Sequence, residues 1–149
     1  MKEKTYDFLT ETEMQKFASR LARKFKAPTI LALIGDLGTG KTTFARAFIK
    51  ELVGQDTIVP SPTFTILQTY KKDDLVINHL DLYRLTEKEE LIELDLQSLF
   101  DKGITMIEWP QLATSFFPKN TIILNFFIQD EIHKVLIQSQ VESEIFNNL

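Results

Sequence analysis

The stretch LALIGDLGTGKTTFARAF, residues 31–48, is the most informative part of the sequence because it joins an apolar segment to an amphipathic one through a glycine-rich loop. Residues 29–34 are continuously apolar, which is typical of a strand buried on both faces of a sheet. Apolar side chains then recur at four-residue spacing and Gly54 follows, so the sequence predicts a helix over residues 41–53. A central strand that leads through a loop into a helix indicates an α/β protein.

The loop itself, residues 35–42 and here named the glycine loop, matches the pattern GxxxxGK[ST] between a predicted strand and a predicted helix. Glycines let backbone N–H groups approach a phosphate chain, the lysine reaches the β and γ phosphates, and the threonine hydroxyl is a ligand for Mg²⁺. The sequence therefore predicts that ATP and Mg²⁺ bind here. The expected contacts in this segment are Gly35, Asp36, Leu37, Gly38, Thr39, Gly40, Lys41, Thr42 and Thr43.

Two carboxylates follow apolar strands and are candidates for the metal and for hydrolysis. Asp81 comes after LVINHL and Glu108 after ITMI. In open α/β sheets ligands bind beyond the carboxyl ends of the strands, so both acids are expected to face the phosphates. Glu108 is the better metal ligand by its apolar lead-in, and Asp81 holds a metal-bound water or orients the attacking one. The choice between them stays open.

Five other side chains have two interpretations each or more. Thr63 lies in a loop that folds over the γ-phosphate, or is an ordinary loop residue. Arg84 reaches the transferred phosphate, or is a surface ion-pair partner. Trp109 is a wall of the site, a partner contact or core. His79 and His133 are interpreted as structural or exposed, because no second histidine lies at metal-ligand spacing.

The whole chain, residues 1–149, is predicted to form one domain, with more strands than helices after residue 60. We expect a P-loop NTPase-like mixed β-sheet flanked by helices, a three-layer α/β/α arrangement. Capping-box spacings predict helices that begin at Thr10, with Glu13, and at Thr86, with Glu89. The first helix is expected to run until Pro28 closes the region.

Composition narrows the classes of function. The chain has no cysteine, which excludes disulfides and thiolate metal sites, and no signal-peptide-like or long apolar segment, so we expect a cytoplasmic protein without a membrane partner. A net charge of −4 argues against a surface that binds nucleic acid everywhere. One helix face nevertheless carries Lys16, Arg20, Arg23 and Lys24, either a solvated face or a docking stripe for RNA or an acidic partner.

Taken together, five segments in this order resemble the bacterial TsaE family, also called YjeE, of tRNA threonylcarbamoyladenosine biosynthesis ATPases. They are GDLGTGKTTFARAF at 35–48, SPTFTIL at 61–67, HLDLYRL at 79–85, EEL at 89–91 and IEWPQ at 107–111. The resemblance covers about residues 29–118, and the ordered set is far more specific than the glycine loop alone.

The resemblance implies a small ATPase that acts with the TsaB and TsaD proteins, which attach threonylcarbamoyl to N6 of adenosine 37 in tRNA. Hydrolysis would support turnover of that assembly, and tRNA would be reached through the complex. By position, the resemblance gives roles to these residues: Lys41 and Thr42 to phosphate and Mg²⁺, Thr63 to a switch, Asp81 and Glu108 to metal and hydrolysis, Trp109 to the site wall, and Thr10 and Glu11 to the surroundings of the adenine.

Two positions depart from the family pattern. Asp95 stands where the family usually has a glycine after a short helix, which puts the local turn in question. The family's Gly-Arg pair in the final hairpin is missing, and QDEIHK offers only His133 or Lys134 as a substitute.

Other classes of nucleotide-binding protein remain as alternatives. A small-molecule kinase usually brings several arginines to the donor phosphates, and here only Arg46 and Arg84 follow the loop. A guanine-specific switch would carry an NKxD motif, which the chain lacks. A module that holds a nucleotide without hydrolysing it is compatible with the sequence.

Overall fold

A computed structural model of the chain describes residues 1–140 and Phe146. Its described part contains seven strands, three α-helices and two 3₁₀ helices. In chain order these are β1 Lys2–Phe8, α1 Glu11–Ala22, β2 Thr29–Ile34, α2 Lys41–Val53, β3 Leu67–Lys72, β4 Leu75–Asp81, a 3₁₀ helix Lys88–Leu94, α3 Leu96–Asp101, β5 Ile104–Glu108, a 3₁₀ helix Pro110–Phe116, β6 Ile122–Gln129 and β7 Ile132–Ser139.

All seven strands join one sheet in the order β1-β7-β6-β2-β5-β4-β3. Strand β2 pairs in parallel with β5 and β6, and β4 pairs in parallel with β5. The β3–β4 and β6–β7 hairpins and the β1–β7 pair are antiparallel. The predicted mixed sheet is therefore confirmed, with the continuously apolar β2 at its centre.

Helices cover both faces of this sheet. Helices α1 and α2 pack on one face around Phe17 and Phe44, while α3 and the 3₁₀ helices pack on the other around Leu91 and Phe100. Alternate residues of β2 enter the two cores, since side chains along a strand point to opposite faces. The three-layer α/β/α arrangement is confirmed.

Helix α1 begins where the sequence predicts and ends earlier. The Thr10 hydroxyl accepts a hydrogen bond from the Glu13 N–H at 3.1 Å, and the Glu13 carboxylate accepts one from the Leu9 N–H at 2.6 Å. The helix stops at Ala22 rather than near Pro28, because bonds of the tighter i→i−3 kind close its last turn. Arg23 caps the helix and Lys24 lies beyond it. Of the four residues predicted for the basic face, α1 itself therefore carries Lys16 and Arg20.

The second predicted capping box is wrong by one residue. Glu87 and Glu90, not Thr86 and Glu89, form it, at the start of a 3₁₀ helix. The shift arises because Glu90 Oε1 accepts from the N–H groups of both Thr86 and Glu87, each at 3.2 Å. The 3₁₀ helix ends at Asp95, which adopts a left-handed backbone, φ 48° and ψ 61°, before α3 begins. The aspartate thus takes a conformation that glycine favours.

Across residues 1–140 and Phe146, no helix has the length and apolar character needed to cross a membrane.

Candidate functional site

A cavity of about 470 Å³ opens at the carboxyl ends of the parallel strands, within the size range of small-molecule sites. It collects most of the residues that the sequence predicts for nucleotide and metal binding. Its walls are Phe8, Leu9, Thr10, Glu11, Met14, Leu37, Gly38, Gly40, Lys41, Thr42, Thr43, Ser61, Thr63, Asp81, Tyr83, Glu108, Trp109 and His133.

Sheet register explains why distant segments meet at this cavity. Glu108 at the end of β5 pairs with Asp81 at the end of β4 and with Leu33 of β2, so both acids lie beside the start of the glycine loop. At the other side of the same edge, Phe8 ends β1 and pairs with His133 near the start of β7. The site therefore extends along the edge from β4 to β1.

Local geometry makes glycine necessary at several positions of the glycine loop. Gly38 and Gly40 have φ of +80° and +108°, which L side chains rarely adopt. A Cβ on Gly35 would lie 2.5 Å from the Phe126 carbonyl oxygen of β6. Gly35, Asp36 and Thr39 do not line the cavity; they shape the loop, and the Thr39 hydroxyl donates to the Asp36 carbonyl at 2.7 Å.

Helix α2 starts at this loop with an uncapped first turn. Its N-cap, Gly40, has no side chain to accept from the N–H groups that follow. Those groups carry the positive end of the helix dipole, and Lys41 and Thr42 of the same turn line the cavity. The arrangement suits an anion.

Lys41 is buried in the cavity wall, with only 5% of its surface exposed. Its Nζ donates to the Gly35 carbonyl and lies 3.8 Å from the centre of the Trp109 ring. Burial lowers the pKa of the Lys41 ammonium below its ordinary value, and the negative charges of Glu108, Asp81 and Asp36 act in the opposite direction. The Lys41 ammonium thus has no ion-pair partner within 4.0 Å among the described residues and is held in a poorly solvated site.

Trp109 follows β5 directly and has a left-handed backbone, φ 54° and ψ 58°. This conformation costs a bulky L residue roughly 1–2 kcal/mol, and such strain is concentrated at functional sites. The ring packs on Tyr83 with centroids 4.9 Å apart and on Lys41. Trp109 lines the cavity, which agrees with its interpretation as a wall of the site.

Asp81 organises the loop before β3 as well as facing the cavity. The Thr63 hydroxyl donates to Asp81 Oδ2 at 3.0 Å, and Ser61 lies 2.8 Å from that hydroxyl. The Tyr83 N–H donates to Asp81 Oδ1 at 2.9 Å. Both carboxylate oxygens are therefore engaged, and Thr63 is held in the cavity wall.

Glu108 has a partner that the sequence interpretation missed. His79, only 1% exposed, lies with Nε2 2.7 Å from Glu108 Oε2. Because the carboxylate is the acceptor, Nε2 donates, and Nδ1 has no partner among the described residues. The alternation of β4 places His79 on the same face as Asp81, a signal that the sequence did contain. Of the two predicted alternatives for His79, structural or exposed, the residue is not exposed, and its side chain contacts a candidate site residue.

Comparison with known proteins identifies the family. The sequence model of the family described as threonylcarbamoyl adenosine biosynthesis protein TsaE matches residues 8–138 of this chain. The chain belongs to the TsaE family. Membership assigns it to tRNA threonylcarbamoyladenosine biosynthesis.

Individual TsaE relatives agree with this assignment. The tRNA threonylcarbamoyladenosine biosynthesis protein TsaE of Rickettsia bellii is 41% identical, over 82% of this chain and 85% of the relative. The Bacillus subtilis TsaE protein is 37% identical, over 74% of this chain and 69% of its own length. The crystal structure of Bacillus subtilis YdiB superposes with a TM-score of 0.77 at 26% identity, covering 93% of this chain and 86% of that one.

The oxygen donors in this TsaE site suit Mg²⁺, which shares its ligand shell with water and phosphate, better than they suit a metal ion whose ligands all come from the protein. In the described part of the chain, no group of three or more His, Cys, Asp or Glu side chains could hold a metal ion. Mg²⁺ usually takes one or two carboxylates and completes its shell with water and substrate phosphates. Asp81, Glu108 and the Thr42 hydroxyl all line the cavity, so they form a suitable set.

The hairpin position that lacks the TsaE family's arginine is filled by His133. Its Nδ1 lies 3.3 Å from the Thr39 carbonyl oxygen, and it lines the cavity. Lys134 instead pairs with Asp7, Nζ to Oδ1 at 2.9 Å. Of the two substitutes considered, only His133 faces the site.

Neither arginine after the glycine loop lines the cavity. Arg84 lies 5.5 Å from the centre of the Phe64 ring, with NH1 3.5 Å from the Phe64 carbonyl oxygen. Arg46 donates from Nε to the Val59 carbonyl at 2.9 Å. In this conformation both guanidinium groups are held by other parts of the molecule.

Proposed function

We propose that this TsaE family member binds ATP with Mg²⁺ in the cavity and hydrolyses it in support of threonylcarbamoyladenosine formation on tRNA. The observation that carries the proposal is the buried Lys41 ammonium, held between a bare glycine loop and two strand-end acids. A poorly solvated cation gains more from a phosphate chain than an exposed one would, because water does not screen the pair.

The two sides of the cavity suit the two parts of ATP. Gly38, Gly40 and the first turn of α2 offer backbone N–H groups to the phosphates. Phe8 and Met14 supply apolar surface beside Thr10 and Glu11, where the family resemblance puts the adenine. This division favours a nucleotide over inorganic phosphate.

For hydrolysis, we propose that the paired acids manage water and metal. Bound Mg²⁺, held by Thr42 with Glu108 or Asp81, would neutralise charge on the phosphates. Water adds to the γ-phosphorus, the bond to the β–γ bridging oxygen breaks, and the products are ADP and phosphate. The acid that does not hold the metal would orient the water and take its proton. His79 fixes Glu108 for either role, and Asp81 also holds Thr63 at the cavity wall.

We further propose that TsaB and TsaD complete the site. Leu9 and Leu37, 76% and 82% exposed, are apolar side chains at the mouth of the cavity. Exposed apolar groups beside a site are suited to covering by a partner protein. Turnover is then weak in the isolated chain and rises in the assembly.

The test is phosphate release with MgATP, with and without TsaB and TsaD. Glu108→Ala should lose Mg²⁺-dependent turnover by about 100-fold or more while nucleotide affinity persists, since it removes a group that acts on the water and metal. Glu93→Ala, which removes an exposed acid outside the cavity, is the matched control. Equal turnover in the two variants would transfer the metal and hydrolysis roles to Asp81.

The same assay with γ-labelled ATP separates the alternatives. Label found only on free phosphate supports the ATPase. Label on any other acceptor would indicate a kinase, which the positions of Arg46 and Arg84 outside the cavity disfavour. Binding without phosphate release, even with TsaB and TsaD, would leave a nucleotide-binding module.

A further inference from the structure

A second cavity lies between α1 and α2, and its walls are strongly basic. We name it the basic groove; it is lined by Glu11, Gln15, Lys16, Ser19, Arg20, Arg23, Thr43, Arg46, Ala47, Lys50 and Gln55. Five of these side chains are cationic and only one is acidic, in a chain whose net charge is −4. Positive charge is therefore concentrated at this groove against the overall balance of the molecule.

Among residues 1–140 and Phe146, no carboxylate neutralises the cations of the basic groove. Within residues 1–140 and Phe146, Lys16, Arg20 and Lys50 make no ion pair or hydrogen bond, and no carboxylate pairs with Arg23 or Arg46. Arg23 and Arg46 donate only from Nε, to backbone carbonyls at 3.3 Å and 2.9 Å. Their terminal nitrogens are left to meet an anion in the groove.

The lining favours nucleic-acid phosphate over a protein surface. Protein interfaces gain most of their affinity from buried aromatic and apolar anchors, and Ala47 is the one apolar residue among the groove's lining residues. Lysine, arginine, amide and hydroxyl groups are the usual donors to phosphate oxygens. Lys16 and Arg20 of α1 and Arg23, which caps the C-terminus of that helix, follow one another at i, i+4 and i+7, a row that suits a repeating chain of charges.

We propose that the basic groove binds the phosphodiester backbone of tRNA. The inference goes beyond the proposed hydrolysis, and rests on the family's role in tRNA modification and on the charge of the groove. Glu11 and Thr43 line both the basic groove and the site cavity, so bound RNA backbone would lie next to bound nucleotide.

The experiment is anisotropy titration of a fluorescent tRNA transcript with the full chain, without nucleotide, at several salt concentrations. The test variant is Lys16→Ala/Arg20→Ala. The matched control is Lys88→Ala/Lys119→Ala, which removes the same charge from exposed lysines outside the basic groove.

We expect the test variant to bind tRNA about tenfold more weakly than the wild type at low salt. The slope of log K against log salt should become shallower by about 1.4–1.8, because two phosphate contacts are lost. The control should bind like the wild type.

Three results would overturn the proposal. One is no association of wild-type chain with tRNA at low salt, alone or with TsaB and TsaD. Another is equal binding by the test and control variants. The third is a test variant that loses TsaB and TsaD but keeps tRNA, which would make the groove a contact for an acidic protein. Thermal unfolding of the same preparations shows that each variant is folded. Nucleotide affinity, measured separately, distinguishes a failure of the proposed ATP site from a failure of the groove.

Discussion

At the scale of single residues, Lys41 is the side chain around which the site is arranged. Its ammonium contacts the Gly35 carbonyl and the Trp109 ring and lies in the field of three acids, Glu108, Asp81 and Asp36. The sequence motif predicts that a lysine belongs here. The motif does not predict the contact of Lys41 with the Trp109 ring, because that contact depends on the left-handed backbone at Trp109.

His79 gives the most specific prediction at this scale. We expect His79→Leu to lower ATP turnover by about 10-fold or more with nucleotide affinity unchanged, because Glu108 loses the donor that fixes its carboxylate. His79→Gln, which keeps an N–H donor, should recover part of the loss. Phosphate release, calorimetric affinity and thermal unfolding are measured for each variant. Turnover equal to wild type in His79→Leu, or equal losses in both variants, would contradict the positioning role.

Among the secondary-structure elements, the sequence predicts correctly those whose ends are specified by neighbouring residues. Residues 29–34 and 41–53 form β2 and α2 with the predicted bounds, because an apolar run and a glycine stop specify them. Helix α3 is absent from the sequence interpretation. It has only six residues, too few to show a helical period, and it is held by packing of Leu96 and Phe100 on the sheet.

Asp95 joins two of these elements and yields a stability prediction. Its left-handed backbone ends one 3₁₀ helix and starts α3, and glycine adopts that conformation without a Cβ penalty. Asp95→Gly should therefore raise the free energy of unfolding by about 0.5–1 kcal/mol, net of the entropy of a more flexible unfolded chain. Asp95→Ala, which keeps a Cβ, should not stabilise. Urea unfolding of the three proteins measures this, and destabilisation by glycine would show that the Asp95 side chain contributes more than its strain costs.

At the scale of the whole molecule, strand order decides which side chains meet. The rule that ligands bind at the carboxyl ends of parallel strands predicts that Asp81, Glu108 and the glycine loop converge, and register brings them together. Phe8 and His133 reach the same cavity because β1 and β7 extend the sheet beyond β6. The contact of His79 with Glu108 likewise depends on the pairing of β4 with β5, which no local pattern specifies.

The two edge strands give a prediction about pH. Tyr6 of β1 and Tyr70 of β3 have buried hydroxyls that find no partner among the described residues, and burial raises the pKa of both phenols above the ordinary value of 10.0. The unfolded chain therefore loses these protons first as the pH rises. The contribution of the neutral phenols to stability is complete below pH 10.0 and is lost above it.

Urea unfolding between about pH 8 and pH 11 tests this. Tyr6→Phe/Tyr70→Phe should lose less stability over that range than the wild type, because two titrating groups are gone. Tyr83→Phe, which removes a phenol from a residue that is 59% exposed, is the control and should follow the wild type. Parallel decline in all three proteins would show that the buried phenols do not set the alkaline limit.

Calorimetric titration with MgATP measures whether the glycine loop and the buried Lys41 bind the phosphates of ATP. The wild-type chain should bind one nucleotide, and Lys41→Ala should weaken the affinity by about 100-fold, near 3 kcal/mol, as expected for loss of a buried charge on phosphate. Lys102→Ala, which removes an exposed lysine outside the cavity, should bind like the wild type. If well-folded wild type takes up no nucleotide, alone or with TsaB and TsaD, or if Lys41→Ala binds it equally well, the glycine loop and Lys41 do not form a phosphate site.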